Sequence, residues 1–219
     1  MVNLTFTIGS IKITPLFWSL VIGFVAASFS LWRSLKREDI EDEEIYRITI
    51  LLLLAAIAFS QFFLKFINLP IFGAFWGGVL ILVWRMKTSQ LNIWDGIEAL
   101  TKPLFYLLII GSIGSFLTFM NYFSLGFLLV GILGLIISLF LKKKYRSLSW
   151  YKSGKPGFVF WFGGAFFFIG YLAVDIWNKN GLYLTQLMLL ISFFACVAVI
   201  YIRSERKIKE DINNLFKKK

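Results

Sequence analysis

The chain has no histidine among its 219 residues and a single cysteine, Cys196. The first absence removes imidazole acid–base chemistry and histidine metal sites. The second removes an internal disulfide and any cysteine-rich metal cluster. Cys196 lies inside an apolar run with no base or cation near it in sequence, so it reads as a small apolar residue and not as a reactive thiol. No metal and no cofactor is expected. Acidic residues are also scarce, 12 against 23 Lys and Arg, for a formal charge of +11. In a soluble protein that excess would point to nucleic acid. Here it sits in loops between apolar runs, so the expected partner is an anionic lipid headgroup and no nucleic acid.

What the chain has in abundance is apolar surface. It is 58% hydrophobic and 19% aromatic, against roughly 45 to 50% apolar in a soluble domain. The apolar runs are separated alternately by basic loops, Arg33 to Arg47, Arg85 to Lys102, Lys142 to Lys155 and Arg203 to Lys219, and by loops carrying only Lys12, Lys65 and Lys179. The positive-inside rule turns this alternation into a topology. The expected fold is an all-α membrane protein of seven transmembrane helices over residues 1–202, amino terminus outside and carboxyl terminus cytoplasmic, with a basic amphipathic tail over 203–219. The tail reading rests on Ile208, Ile212, Leu215 and Phe216 recurring among lysines at helical spacing.

The spans follow from length and punctuation. Thr14 to Trp32 lacks a basic region before it and a small-residue cleavage pattern after it, so it reads as a retained span and not a signal peptide. Alternation around Gly9-Ser10 suggests a short hairpin before it. Ile48 to Trp84 is too long for one span and is interrupted by Lys65, Asn68 and Pro70, which predicts two helices with Pro70 opening the second. That third span is short, near the lower limit of about 17 residues. Pro103 to Leu141 divides in the same way around Asn121 into spans four and five. Gly157 to Trp177 is the sixth and Leu182 to Ile202 the seventh, joined by an outer turn at Asn178 to Gly181. The acidic crowd from Glu38 to Glu44 suits the positive end of the helix that follows it.

No span carries an acidic residue at mid-depth, which argues against an ion-coupled transporter, a proton relay or a voltage sensor. Lys65 and Asp175 fall near outer helix ends, where a charge can reach the interface. Small residues form a second pattern: Gly73, Gly77 and Gly78 on the third span, and Gly111, Ser112, Gly114 and Ser115 on the fourth. They serve close helix packing, or they line a headgroup pocket where the glycine faces of these two spans meet.

Several short segments occur in a familiar order. They are FTIGSIKI followed by Gly23-Phe24, then Phe75-Trp76-Gly77-Gly78, Trp94 with Glu98, and Gly111-Ser112-Ile113-Gly114-Ser115-Phe116. After these come Lys155-Pro156-Gly157, Tyr171 with Asp175, and Gln186. In this order the chain resembles the bacterial prolipoprotein diacylglyceryl transferase family, seven-span enzymes that move diacylglycerol from phosphatidylglycerol to a lipobox cysteine. The resemblance implies a multi-pass protein of the bacterial plasma membrane, with an anionic phospholipid such as phosphatidylglycerol as partner and lipoprotein precursors as a further one. It marks Trp76, Gly77, Gly78, Glu98, Gly111, Ser112, Gly114, Ser115, Tyr171 and Gln186 as motif or lipid-binding positions.

The departures from the family bear on chemistry. The family's His before the paired glycines corresponds to Trp76, its signature Arg to Ser112, and its later Arg to Tyr171. A transferase must hold an anionic phosphate and help deprotonate a thiol, which calls for cations and a base. The sequence therefore suggests a degenerate, lipid-binding relative. The alternative is an active transferase in which Asp175 is the base and Lys65 or Lys179 anchors the phosphate. A small channel or carrier rests on the span count alone.

Overall fold

The computed structural model of the protein describes residues 6–8, 11–67, 69–148, 151, 153–178 and 183–205. Two short strands, β1 (Phe6–Ile8) and β2 (Ile11–Ile13), pair antiparallel with Phe6 opposite Ile13, as the alternation predicted. Then come α1 (Pro15–Leu35), α2 (Asp42–Ile67), α3 (Pro70–Thr88), α4 (Ile93–Ala99), α5 (Thr101–Phe119), α6 (Tyr122–Lys144), α7 (Phe158–Asn178) and α8 (Tyr183–Arg203). Seven of these are long and apolar enough to cross a membrane, which is the architecture of a multi-pass membrane protein.

The helix starts follow from local chemistry. The Thr14 hydroxyl accepts from the Phe17 amide at 3.4 Å ahead of Pro15, the Asn121 side chain accepts from the Phe123 amide at 2.9 Å, and Pro70 opens α3 as its spacing predicted. At 19 residues, α3 rises about 28 Å, close to the hydrocarbon thickness. The segment from Arg85 to Lys102, expected as a basic loop, contains α4. This helix is capped by Asn92, whose side chain accepts from the Trp94 amide at 3.1 Å, and its Ile97 is buried. The proposed tail helix lies almost wholly beyond residue 205, outside the described residues.

The helices run antiparallel, so the basic segments gather at one end of the bundle. Contacts between them hold that end together. Glu44 at the start of α2 accepts from Arg85 Nε and Nη2 at 2.7 and 2.5 Å and from the Ser89 hydroxyl at 2.7 Å at the end of α3. Lys36 pairs with Asp42 at 3.0 Å, and Lys155 pairs with Glu205. In the bundle α1 lies on α5, α5 on α6, α6 on α7 and α7 on α8, while α2 lies on α3. The most enclosed span is α7, and the least enclosed is α2. Between its polar ends α2 exposes mainly apolar side chains, among them Ile50, Leu54, Ile57 and Phe62, as a lipid-facing helix requires.

One expectation is corrected. The glycine faces of the third and fourth spans do not meet. Gly73 and Gly77 on α3 face Phe59 of α2, where a Cβ at Gly77 would come within 2.6 Å of the Phe59 ring. Gly114 on α5 faces Leu16 and Ser19 of α1. The small residues do mediate close approach, but α2 and α1 are the neighbours, so the glycine faces of α3 and α5 do not share a wall.

Candidate functional site

At the end opposite the basic segments, the last turn of α7 carries Asp175, 5% exposed. The α7–α8 hairpin brings Gln186 of α8 beside it, and the Gln186 amide donates to Asp175 Oδ2 over a long 3.4 Å. One turn earlier on the same face of α7, Tyr171 is buried and packs edge-on against Phe127 of α6, ring centres 4.6 Å apart. The spacing of Tyr171 and Asp175 thus places both toward the interior. Asp175 pairs with no cation among the described residues.

Deeper in the bundle, α3 meets α7 through a layer of rings. Phe75 lies parallel to Phe160 and Phe167 at 5.5 and 6.1 Å. Trp76 is stacked on Phe168 at 6.3 Å and tilted against Trp161 at 6.1 Å. The Trp76 indole N–H donates to the Ser192 hydroxyl of α8 at 3.1 Å, which fixes the ring between the two helices. Phe167 contacts both Phe168 and Tyr171, so Trp76 and Tyr171 belong to one continuous aromatic layer.

The remaining positions scatter. The Ser112 hydroxyl donates to Leu108 O of its own helix at 2.6 Å. Ser115 and Ser124 share a 2.8 Å hydrogen bond that joins α5 to α6. Gly78 has only Leu52 within reach of a Cβ, at 3.9 Å, and Gly111 has nothing within 4 Å. Lys65 is exposed in the last turn of α2, and Lys179 lies outside the described residues. A groove of about 300 Å³ between α6 and α7, lined by Tyr122, Gly126, Ala173, Val174 and Trp177, has no charged residue in its lining. It suits an acyl chain better than a headgroup.

At the basic end the structure joins motif residues that are far apart in sequence. Glu98 of α4 accepts from the Gly157 amide at 2.7 Å. Gly157 has φ +97°, which disfavours any residue with a Cβ, and an added Cβ would lie 3.0 Å from the Trp94 ring. Above that ring, at 3.9 Å, sits the Arg203 guanidinium, whose Nη2 also donates to Pro156 O at 2.8 Å. Ser153 donates to Arg203 O at 2.6 Å. Trp94, Glu98 and Gly157 were legible as motif residues; Arg203 and Ser192, their partners and Trp76's, were not. An arginine closing an apolar run and a serine inside one carry no sequence signal of what they touch.

Compared with known proteins, the chain matches no family model, no curated sequence and no solved structure.

Proposed function

We propose that the protein is a degenerate relative of the prolipoprotein diacylglyceryl transferases. In this reading it is a plasma-membrane protein, amino terminus outside and carboxyl terminus cytoplasmic, that binds anionic phospholipid without transferring diacylglycerol. The gathering of basic helix ends at one end of the bundle supports this orientation. The loss of transfer is supported by one observation above all. Where the family carries a His, this chain has Trp76, hydrogen-bonded to Ser192 and packed among Phe75, Trp161 and Phe168. That volume is filled by rings, which neither take a proton nor hold a phosphate.

The other replaced positions agree. Tyr171 is sealed against Phe127 and Phe167, and Ser112 spends its hydroxyl on its own helix. The test is diacylglyceryl transfer from phosphatidylglycerol to a lipobox peptide by the purified protein, with mass spectrometry of retained lipids alongside. The expected result is no transfer with phosphatidylglycerol retained; robust transfer would overturn the reading. The rival reading draws on the burial of Asp175 beside Gln186. If Asp175 were the base, Asp175→Asn would cut transfer by about a hundredfold to ten-thousandfold.

A further inference from the structure

We infer that the basic end carries a binding site for a phosphate group, formed by Lys102, Lys142 and Ser138 around a small cavity between α1, α5 and α6. It deepens the lipid-binding reading above by giving the anion a place, and it does not depend on whether transfer is lost.

The cavity, about 10 Å³, takes its polar lining from Ser34, Glu98, Thr101, Lys102, Ser138 and Lys142. That is room for about one oxygen atom. Ser138 is 3% exposed, and its hydroxyl has no hydrogen-bond partner among the described residues. A buried hydroxyl left in that state carries the full cost of its lost hydration. The other hydroxyls of the lining are engaged: Ser34 donates to Ser30 O at 2.9 Å and Thr101 to Glu98 O at 2.8 Å. Ser138 is therefore the donor left for a ligand.

Charge at the mouth has the matching sign. Lys142, Arg37 and Arg33 all lie close enough to Lys102 to act on it electrostatically. Neither Lys102 nor Lys142 forms an ion pair among the described residues. The opposing group is the Glu98 carboxylate, which already accepts the Gly157 amide and feels the charges of Lys142 and Arg146. Cations remain in excess. A tetrahedral phosphate meets this arrangement by sending one oxygen into the cavity to Ser138 and leaving the others at the mouth with the lysines. Both a phospholipid headgroup in the adjoining leaflet and free phosphate offer that chemistry.

The test is thermal unfolding of the full chain in neutral detergent with short-chain phosphatidylglycerol, with phosphatidylcholine of the same chains, or with inorganic phosphate. Phosphatidylglycerol should raise the wild-type Tm by several degrees. The shift should vanish in Lys102→Gln/Lys142→Gln and shrink in Ser138→Ala, whose unliganded Tm stays at or above wild type. It should persist in Lys143→Gln/Lys144→Gln, which loses the same charge elsewhere. An equal effect of inorganic phosphate, with the same residue dependence, assigns the site to the free ion; its failure beside a lipid shift assigns it to the headgroup. A phosphatidylglycerol shift that ignores these residues would remove the site and leave lipid binding standing. No selective shift in wild type would remove both. A Ser138→Ala loss of Tm that is the same with and without lipid would mark the hydroxyl as structural and overturn the site.

Discussion

Gly73→Ala tests the packing of α3 on α2 most directly. The hydrogen that occupies the Cβ direction at Gly73 points at the Phe59 peptide, and a methyl there would lie 2.7 Å from the Phe59 carbonyl carbon and 2.9 Å from the Phe63 ring, where ordinary contact begins at 3.4 Å. A side chain could rotate away, but a helix backbone cannot. The two helices must part by about an ångström, which also lifts Gly77 off the Phe59 ring. Overpacking of this kind costs about 1 to 3 kcal/mol, and the rigid partner puts it at the upper end. A Cα–H···O contact worth about 0.5 kcal/mol is lost as well. Against this, Ala is favoured over Gly in a helix by about 0.5 to 1 kcal/mol. The net expectation is a loss of about 2 kcal/mol. Gly111→Ala is the matched control, because nothing lies within 4 Å of its Cβ position; only the helix preference remains, and the protein should gain up to about 1 kcal/mol. Reversible unfolding in mixed detergent micelles measures both. The same chemical change should have opposite signs at the two positions, and equal destabilisation would refute the packing argument.

Orientation is checked by cysteine labelling in a Cys196→Ser background. Exposed Lys143→Cys should resist an impermeant maleimide in intact cells, and Tyr122→Cys, 82% exposed at the opposite end, should react; the reverse pattern would invert the topology. Gly157→Ala should lower stability by about 1 to 3 kcal/mol through its positive φ and the Trp94 ring. Glu98→Gln, which keeps an acceptor for the Gly157 amide, should cost less in the same melt, and a larger loss there would place the strain elsewhere.

The spans were readable because their boundaries are written locally. Pro70, Thr14 and Asn121 stand where helices start, and the one-sided lysines and arginines mark one end of each hairpin. α4 escaped because Trp94-Asp95-Gly96-Ile97-Glu98 is short and mixed in polarity. What makes it a helix is tertiary, the burial of Ile97 and the seating of Trp94 under Arg203. The glycine patterns were legible as close approaches but silent about the partner, since a missing side chain fits any neighbour that supplies the bulk. Phe59 supplies it for α3, and α1 comes close enough to Gly114 to supply it for α5. At the candidate site, Asp175 and Gln186 could each be singled out, and the hairpin that joins them is short enough to guess. The bond from Trp76 to Ser192 joins residues 116 positions apart, and only the folded bundle brings the two together.

The pairing of α1 with α5 constrains how the protein is made. A ribosome releases α1 into the membrane first, yet the helix it packs on emerges only after α2, α3 and α4 have been synthesised. In that interval the stripe of Ser19, Gly23 and Ala27, buried in the finished bundle, has no partner and faces lipid or the insertion machinery. Because the closing contact is distant in sequence, its formation is expected to be slow. A nascent chain halted before residue 101 would present that stripe to any other helix with a small-residue face, which makes premature association the characteristic hazard of this topology.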